Sequence, residues 1–331
     1  MLWTRFFNGS AGRPLPQGSL LATDGNGGIY LLWASNCSDF GCRGTIDFGN
    51  GTTPAGALVK FDPNGDLLWK TALGEGAGGL AVNSNGQATL LVWGSTDPGN
   101  KSVLRMNSDG TRAWTAGSRG LSVAVGIDPD GNVLAAARGG PDDPVFGQTF
   151  ASNGPVVAKL SSSKGSVLWM QKIADGARGD ISGVGTSAIG TVVVAGTIGG
   201  SFDFGGQHFD TTGQGGSALL FVFEAGGQQR FARRLPDARS VVLAVDPAGR
   251  ASTVGNNDSY LSVAFYNLAG DLLGGRNILV TGLDSAIVAN SVAIAADHST
   301  VLGGVFTGTA DFGAGPVRSR AHDGFIANLG Q

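Results

Sequence analysis

The chain has 331 residues, a net charge of −3 and only 14% charged residues, whereas 42% of its residues are hydrophobic. That hydrophobic content is enough to bury a large core. No basic patch or polybasic run points to nucleic acid or to an anionic membrane surface. No stretch approaches the roughly 18 apolar residues that span a bilayer, so membrane insertion is not expected.

A short segment ending near an aromatic residue recurs along the chain at intervals of 43 to 66 residues. Repeats of this length without a helical period are typical of radial or solenoid arrays. The six copies lie at Met1–Trp3, Leu67–Trp69, Arg112–Trp114, Val167–Trp169, Gln229–Phe231 and, with the aromatic residue lost, Leu272–Gly274.

The second repeat shows the internal pattern most clearly. Its short runs rich in Val, Leu and Trp are separated by a loop and by Asn/Asp/Gly turns, which predicts four strands, named A to D. These runs are Leu80–Asn83, Ala88–Trp93, Ser102–Met106 and Arg112–Thr115.

Turn sequences recur at the same places in other repeats. The A–B turn starts at Asp24, Asp128 and Asp246, and the C–D turn at Asp62, Asn107 and Asn267. An Asp or Asn side chain caps its own turn, and the Gly that follows accepts a positive φ. The segment from Asp128 to Asn132 is similar to the start of a calcium loop. It lacks the spaced third ligand and the final Glu, so a turn is predicted.

The last repeat has strands near Val292–Ala296, Val301–Phe306 and Gly324–Leu329 but lacks strand D. Leu2–Phe7 at the opposite terminus can supply it and so remove an open sheet edge. The sequence therefore predicts an all-β chain with one domain over 1–331, a six-bladed β-propeller of four-stranded antiparallel blades closed by the N-terminal strand. The predicted blades are approximately 8–73, 74–116, 117–173, 174–235, 236–279, and 280–331 with 1–7.

The chain resembles the bacterial propeller family with SBBP-type repeats and, more loosely, NHL-type propellers. The phrases that carry the resemblance are Ile127–Val133, Val157–Leu160 leading to Trp169, and Asp-Phe-Gly at 39–41, 47–49, 203–205 and 311–313. The resemblance covers the whole chain, although blades two and five lack Asp-Phe-Gly. It implies the fold and export, hence a secreted or periplasmic bacterial protein, and it assigns no chemistry. A kinase interpretation of Asp-Phe-Gly lacks its other motifs. We expect the Phe to be buried and the Gly to turn the chain.

Cys37 and Cys42 are the only cysteines. They lie in one Gly-containing loop, with no further Cys or His beside them to form a zinc site, so a small disulfide loop is predicted. Two unpaired thiols are the alternative. A disulfide would favour an extracytoplasmic location.

Three arginines stand at the same place before strand A in three adjacent blades: Arg119, Arg178 and Arg239. The same position holds Gln17, Gly76 and Asn290 in the other blades, and Asp180 follows two residues after Arg178. Strand A is innermost in a propeller, so these side chains are expected at the channel mouth. Arginine favours carboxylate and phosphate groups, which predicts binding of an anion. The alternative is pairing with nearby carboxylates such as Asp175, Asp180 or Asp237.

Three histidines are the other candidates for chemistry. His298 is predicted in an A–B turn, whereas His208 and His322 lie in or beside B–C loops, on the opposite rim. Either of the latter two could contact a ligand or act as a base; ordinary loop histidines are the alternative. A serine hydrolase has little support, because no Gly-x-Ser-x-Gly elbow is present.

Two functions remain open from the sequence, besides a purely structural role. The first is a monomeric binding module that presents the channel mouth and the B–C loop rim to an anionic small molecule, a glycan or a peptide. The second is a hydrolase of esters, lactones or phosphoesters at the central channel. No cofactor is expected for binding. The hydrolase would work either with calcium, held by side chains such as Glu75, Asp180, Asp284 and Asn290, or without metal through the arginines and His208.

Overall fold

The structure is a computed structural model that describes residues 8–10, 20–33, 45–54, 56–73, 76–93, 100–212, 216–235, 238–257, 259–295, 297–319 and 323–330. Outside these residues lie Gln17, His322, Glu75, Cys37, Cys42 and the predicted closing strand Leu2–Phe7. The chain divides into two compact units, 1–150 with 159–168, and 151–158 with 169–331. Within the described ranges, no helix has the length and apolarity needed to cross a membrane.

The first unit is built from antiparallel sheets whose strands follow one another along the chain. Its strands are β1 (Asn8–Ser10), β2 (Leu20–Thr23), β3 (Ile29–Trp33), β4 (Thr45–Asp47), β5 (Thr52–Pro54), β6 (Ala57–Phe61), β7 (Leu67–Ala72), β8 (Gly76–Val82), β9 (Ala88–Trp93), β10 (Asn100–Met106), β11 (Arg112–Arg119), β12 (Leu121–Ile127) and β13 (Val133–Gly139). Two four-stranded sheets have the orders β2-β3-β6-β7 and β8-β9-β10-β11, and β1, β4 and β5 form a small separate sheet. β12 pairs with β13. The residues of β14 (Gly154–Leu160) and β15 (Val167–Lys172) are divided between the two units.

The second unit repeats this arrangement. Its further strands are β16 (Arg178–Thr186), β17 (Val192–Gly199), β18 (Ser201–Phe204), β19 (Gln207–Asp210), β20 (Ser217–Phe223), β21 (Gln229–Arg234), β22 (Ser240–Val245), β23 (Ala251–Asn256), β24 (Tyr260–Tyr266), β25 (Leu272–Ile294), β26 (Thr300–Asp311), β27 (Pro316–Arg318) and β28 (Asp323–Leu329). The sheet β16-β17-β20-β21 is four-stranded, and β18 and β19 form a separate hairpin. These four-stranded antiparallel sheets resemble propeller blades.

β25 joins two repeats in one continuous strand of 23 residues. Its first part pairs with β24, and its second part, from Val280, pairs with β26. The sequence suggested two strands here, D of one repeat and A of the next. No turn separates them, because the backbone passes directly from its pairing with β24 to its pairing with β26.

Consecutive sheets pack face to face within each unit. In the first unit, Tyr30, Leu32 and Leu58 of one sheet share a buried cluster with Leu90, Val92 and Leu104 of the next. In the second unit, a cluster that includes Val193 and Leu220 continues to Ala264 of the following sheet. Because the two faces of a strand carry alternate residues, packing on both sides buries central strands along their length, and every residue of β14 and β23 is buried.

The predicted turn chemistry is confirmed at several turns. Asp24 Oδ1 accepts hydrogen bonds from the backbone N–H groups of Asn26 and Gly28, and Asp128 Oδ1 accepts one from Asn132. The other carboxylate oxygen of Asp128 lies 2.6 Å from Lys159 Nζ. Asp128 therefore caps its turn and pairs with a lysine.

Candidate functional site

Arg178 begins β16 and has an exposed side chain. It pairs with Gly199 on β17, and Asp180, two residues later, pairs with Thr197. Gly179 between them has φ 126°, and a Cβ there would lie 1.9 Å from the Thr197 carbonyl oxygen. Only glycine fits such a position, so the close approach of the two strands depends on it. Because residues i and i+2 of a strand share a face, Arg178 and Asp180 project to the same side.

Arg239 lies immediately before β22, on the neighbouring sheet. Its backbone N–H donates to the Asn256 carbonyl oxygen at 2.9 Å, and its own carbonyl oxygen accepts from Thr197 Oγ1 at 3.2 Å. Thr197 is also the cross-strand partner of Asp180. The backbone of Arg239 is therefore held beside the start of β16, and the first strands of two adjacent sheets bring Arg178 and Arg239 to one region.

Asn290 joins this region through the next strand. The side chain of Asn256 bonds both backbone groups of Ala289, at 2.8 and 3.1 Å, and donates to Ser240 Oγ at 3.1 Å. Asn290 follows Ala289 at a register shift and is exposed. Two neighbouring inner strands of the second unit thus carry Arg178 with Asp180, and Arg239, at their starts, and Asn290 follows on the part of β25 that pairs with β26.

Asp175 and Asp180 are the carboxylates that the sequence offered as partners for Arg178. Asp175 accepts hydrogen bonds from Lys172 Nζ at 2.5 Å and from Ser152 Oγ at 2.9 Å, and these two bonds lower the pKa of Asp175. Among the residues that the structure describes, no carboxylate forms a salt bridge with Arg178, Asp180 included. Asp237, the partner considered for Arg239, lies outside those residues.

Arg119 differs from its expected place. It is the last residue of β11, where it pairs with Asn100, so it ends strand D instead of lying in the connection to strand A. Only Gly120 separates β11 from β12, because the ladder of strand D continues almost to the next strand. Arg119 is exposed and belongs to the first unit.

The proposed calcium ligands do not form a cluster in the described part of the chain. There, no group of three His, Cys, Asp or Glu side chains converges as a metal site would require. Asp284 is exposed on β25, with φ 54°.

His208 lies on a hairpin strand rather than in an irregular loop. β18 and β19 are joined by Gly205 and Gly206, both with positive φ, as a two-residue type I′ turn requires. This turn sets Asp203 opposite His208, and the Nδ1 atom of His208 lies 2.7 Å from Asp203 Oδ1. The other ring nitrogen, Nε2, lies 3.3 Å from Ser201 Oγ.

Ser201 and Asp203 were missed from the sequence. The signal was present, because a Gly-Gly pair is flanked by alternating aromatic and polar residues, which predicts a hairpin of fixed register. On the inner face, Phe202 stacks on Phe209, with ring centroids 5.5 Å apart, and Phe204 packs edge-on against Phe221 at 5.0 Å. The outer face therefore presents the polar side chains to solvent.

No protein-family model matches the chain, and no curated protein does. Several solved structures are similar to it. BamB from Moraxella catarrhalis is 11% identical, with 85% of this chain and 86% of that chain covered and a TM-score of 0.44. The calcium-binding protein regucalcin from Agrobacterium tumefaciens is 13% identical, with 88% and 83% covered and a TM-score of 0.41. A gluconolactonase from Xanthomonas campestris is 15% identical, with 91% and 90% covered and a TM-score of 0.41.

These neighbours are β-propeller proteins. Calcium binding and gluconolactonase activity are properties of the two proteins so described, and similarities of this degree carry neither property to the present chain. The SBBP-type family suggested by the repeats stays a prediction.

Proposed function

We propose that the chain is a six-bladed β-propeller that binds an anionic group, on a small molecule, a glycan or a peptide, at the starts of its inner strands. The observation that supports this best is the exposed guanidinium of Arg178, beside which Arg239 and Asn290 follow on the next two inner strands. A guanidinium offers a planar pair of donors to a carboxylate, phosphate or sulfate, and an amide adds a neutral donor.

The closed ring is part of this proposal. β28 pairs with β26 along one edge, and Leu2–Phe7 would pair along its other edge as the fourth strand of the last blade. Gln17 would then extend the same circle of strand starts, Arg119 would join it from the end of strand D, and His322 would lie on the rim beside it. Export to the periplasm or the cell exterior, and a monomeric state, are parts of the same proposal.

The anion site can be tested by titrating inorganic phosphate and sulfate into the protein at low salt and measuring both Kd and the melting temperature. We expect stabilisation that weakens as NaCl is added, because salt screens exposed charges. Arg178→Ala and Arg239→Ala should each raise the Kd by about tenfold, equivalent to roughly 1.4 kcal/mol.

Arg230→Ala provides the control, because the Nε atom of Arg230 lies 3.1 Å from Glu224 Oε1, in the turn before β21 and at the opposite end of that strand from Arg239. Its Kd should equal that of the unmodified protein. If phosphate and sulfate bind equally well to Arg178→Ala, Arg239→Ala and Arg230→Ala, the proposed site is wrong.

Hydrolysis is the second candidate function. The observation that favours it is the contact of His208 with both Asp203 and Ser201, at the hairpin rather than at the central channel.

A further inference from the structure

Ser201, His208 and Asp203 are connected in the order in which nucleophile, base and orienting carboxylate occur in serine hydrolases. Ser201 Oγ lies 3.3 Å from Nε2 of His208, and Nδ1 of the same ring lies 2.7 Å from Asp203 Oδ1. With a proton on Nδ1 donated to Asp203, the lone pair of Nε2 faces the serine hydroxyl. Such a group of residues is defined by geometry and roles, on any fold and in any chain order.

The other copies of the same loop show that this connection is specific to blade four. A hydroxyl residue two positions before the Asp also occurs at Thr45 with Asp47 and at Thr309 with Asp311. In those copies the residue opposite the Asp is Thr52 or Pro316, neither of which can act as a base.

The carboxylate is also used differently in the three copies. Asp47 Oδ1 accepts a hydrogen bond from the Gly49 N–H at 2.8 Å, and Asp311 Oδ1 accepts one from the Gly313 N–H at 2.7 Å. At the corresponding place in blade four, the Gly205 N–H instead donates to the side chain of Gln229. Asp203 is thereby released from capping the turn and is available to hold His208.

The hairpin holds its polar face rigidly. At its tip, Phe204 is buried against Phe221 and Phe223. At its base, Thr211 Oγ1 donates to the Ile198 carbonyl oxygen at 2.8 Å and accepts from the Gly200 N–H at 3.0 Å. The three functional side chains therefore project from a fixed platform while remaining accessible to a substrate.

Asp210 and Arg234, two further charged residues near this face, make hydrogen bonds to other groups. Asp210, opposite Ser201, directs Oδ1 to the N–H and hydroxyl of Thr212, at 3.0 and 2.7 Å. Arg234 donates to the Asp210 carbonyl oxygen at 2.7 Å, which places a cation one strand pair from Ser201.

We propose that Ser201 is the nucleophile of a hydrolytic site for small, solvent-accessible carboxylic esters, with His208 as general base and Asp203 as the residue that positions it. This inference deepens the second candidate function and does not depend on the anion site at the strand starts. Because this face is open to solvent, it suits esters with a short acyl group and a good leaving group.

The reaction balances with water as the only co-reactant. Ser201 Oγ bonds to the ester carbonyl carbon while its proton passes to Nε2 of His208, and the carbonyl oxygen becomes an oxyanion. Ser201 and Asp203 belong to non-hydrogen-bonded pairs of a two-stranded hairpin, so their N–H groups point to its outer edge. We assign them as donors to that oxyanion. The C–O bond to the leaving group then breaks, the alcohol takes the proton from His208, and a water activated by His208 hydrolyses the acyl-serine.

The test uses the full chain with p-nitrophenyl acetate, and measures the burst of p-nitrophenol and the mass of the peptide that contains Ser201. We expect an acetyl adduct on Ser201, a burst that disappears in Ser201→Ala, and acylation slowed about 100-fold in His208→Gln. Asp203→Asn should lower kcat while leaving KM unchanged, as expected for a residue that orients the base.

Two controls separate this site from general surface reactivity. Thr309→Ala removes the equivalent hydroxyl of the last blade, and His298→Asn removes the histidine that lies 3.1 Å from Asp246. Both variants should retain the full burst. Equal turnover in Ser201→Ala and Thr309→Ala, or an acetyl group found only on other residues, would overturn the proposal. If Ser201→Ala still binds phosphate, the anion site at the strand starts is independent of the hydrolytic site.

Discussion

The indole N–H of Trp69 donates to the carbonyl oxygen of Ser108, 2.9 Å away in the C–D turn of the following repeat. The same bond joins Trp114 to Ser162 at 2.9 Å and Trp169 to Ala225 at 3.0 Å. In these three repeats the recurring tryptophan therefore ties its sheet to the turn of the next repeat. This accounts for a tryptophan near the start of strand D, where each is the third residue of its strand.

Trp114→Phe is expected to lower the free energy of unfolding by about 1 kcal/mol, because the ring is kept but a hydrogen bond to the Ser162 carbonyl is lost. Phe231 occupies the same place in a later repeat, which indicates that a phenylalanine ring fits this position. Urea denaturation of the purified protein measures the change. A loss above roughly 3 kcal/mol would indicate disrupted packing as well.

The glycine of each of these turns lies against the aromatic ring. At Gly165, φ is 68°, and an added Cβ would lie 2.6 Å from the ring of Trp114. Gly165→Ala should therefore combine backbone strain of about 1 kcal/mol with a steric clash, and should cost more than the strain alone.

Gly176→Ala separates these two effects. Gly176 has φ 65°, but nothing lies within 4 Å of an added Cβ, so only the backbone strain remains. Thermal denaturation should show a clearly smaller decrease in melting temperature for Gly176→Ala. Equal decreases would argue against close packing of Trp114 on the turn.

The parts of the fold that follow from local rules could be predicted from the sequence. The four strands of the second repeat and the turns at Asp24 and Asp128 depend on short-range patterns, and the structure confirms them. The contacts of Asp203 could not be obtained in the same way. Its sequence neighbours match those of Asp47 and Asp311, and the difference arises only when the register of the hairpin brings His208 opposite.

The arginines show a second limit of sequence reasoning. Their spacing before strand A was visible, but whether each guanidinium meets a carboxylate depends on side-chain direction. Asp175 lies close to Arg178 in the sequence and could have paired with it, but it binds Lys172 instead. A choice between two nearby cations depends on the path of the chain, which the repeat pattern does not encode.

Lys159 and Asp128 form a buried pair, and removal of the lysine should be strongly destabilising. Lys159→Met would leave the Asp128 carboxylate charged and shielded from water, at a cost of about 3–5 kcal/mol. Asp175→Asn is the control, because Asp175 is 85% exposed in its pair with Lys172, and pairs at the surface contribute about 1 kcal/mol or less. Urea denaturation of both variants gives the comparison.

Arg105 has the same place in strand C of the second repeat as Lys159 has in the third, but its hydrogen-bond partners are neutral. Its guanidinium is fully buried and donates to Thr89 Oγ1 at 2.8 Å and to Gln87 Oε1 at 2.9 Å. Arg105→Met would leave only neutral acceptors behind, so it should cost less than Lys159→Met. A larger loss for Arg105→Met than for Lys159→Met, measured in the same urea series, would contradict this expectation.

Acid should destabilise the protein through carboxylates such as Asp24. Burial by itself would raise the pKa of Asp24, but hydrogen bonds from Lys60, Gly28 and Asn26 outweigh it and lower that pKa below the usual 3.8. In the unfolded chain the group binds a proton first as pH falls. The stabilisation is therefore complete at neutral pH and is lost as pH drops from about 4 through the lowered folded-state pKa. Hydrogen bonds lower the pKa values of Asp62 and Asp297 too, so several groups contribute.

Melting temperatures between pH 7 and pH 2.5 test this expectation. The unmodified protein should hold its melting temperature down to about pH 4.5 and lose it steeply below. Asp24→Asn should be less stable at pH 7 and should show a shallower acid limb, because its side chain binds no proton. Asp130→Asn, at the exposed tip of the turn at Asp128, is the matched control. If the melting temperature of Asp24→Asn falls as steeply in acid as that of the control, the ion pair of Asp24 with Lys60 does not contribute to the acid sensitivity of the fold.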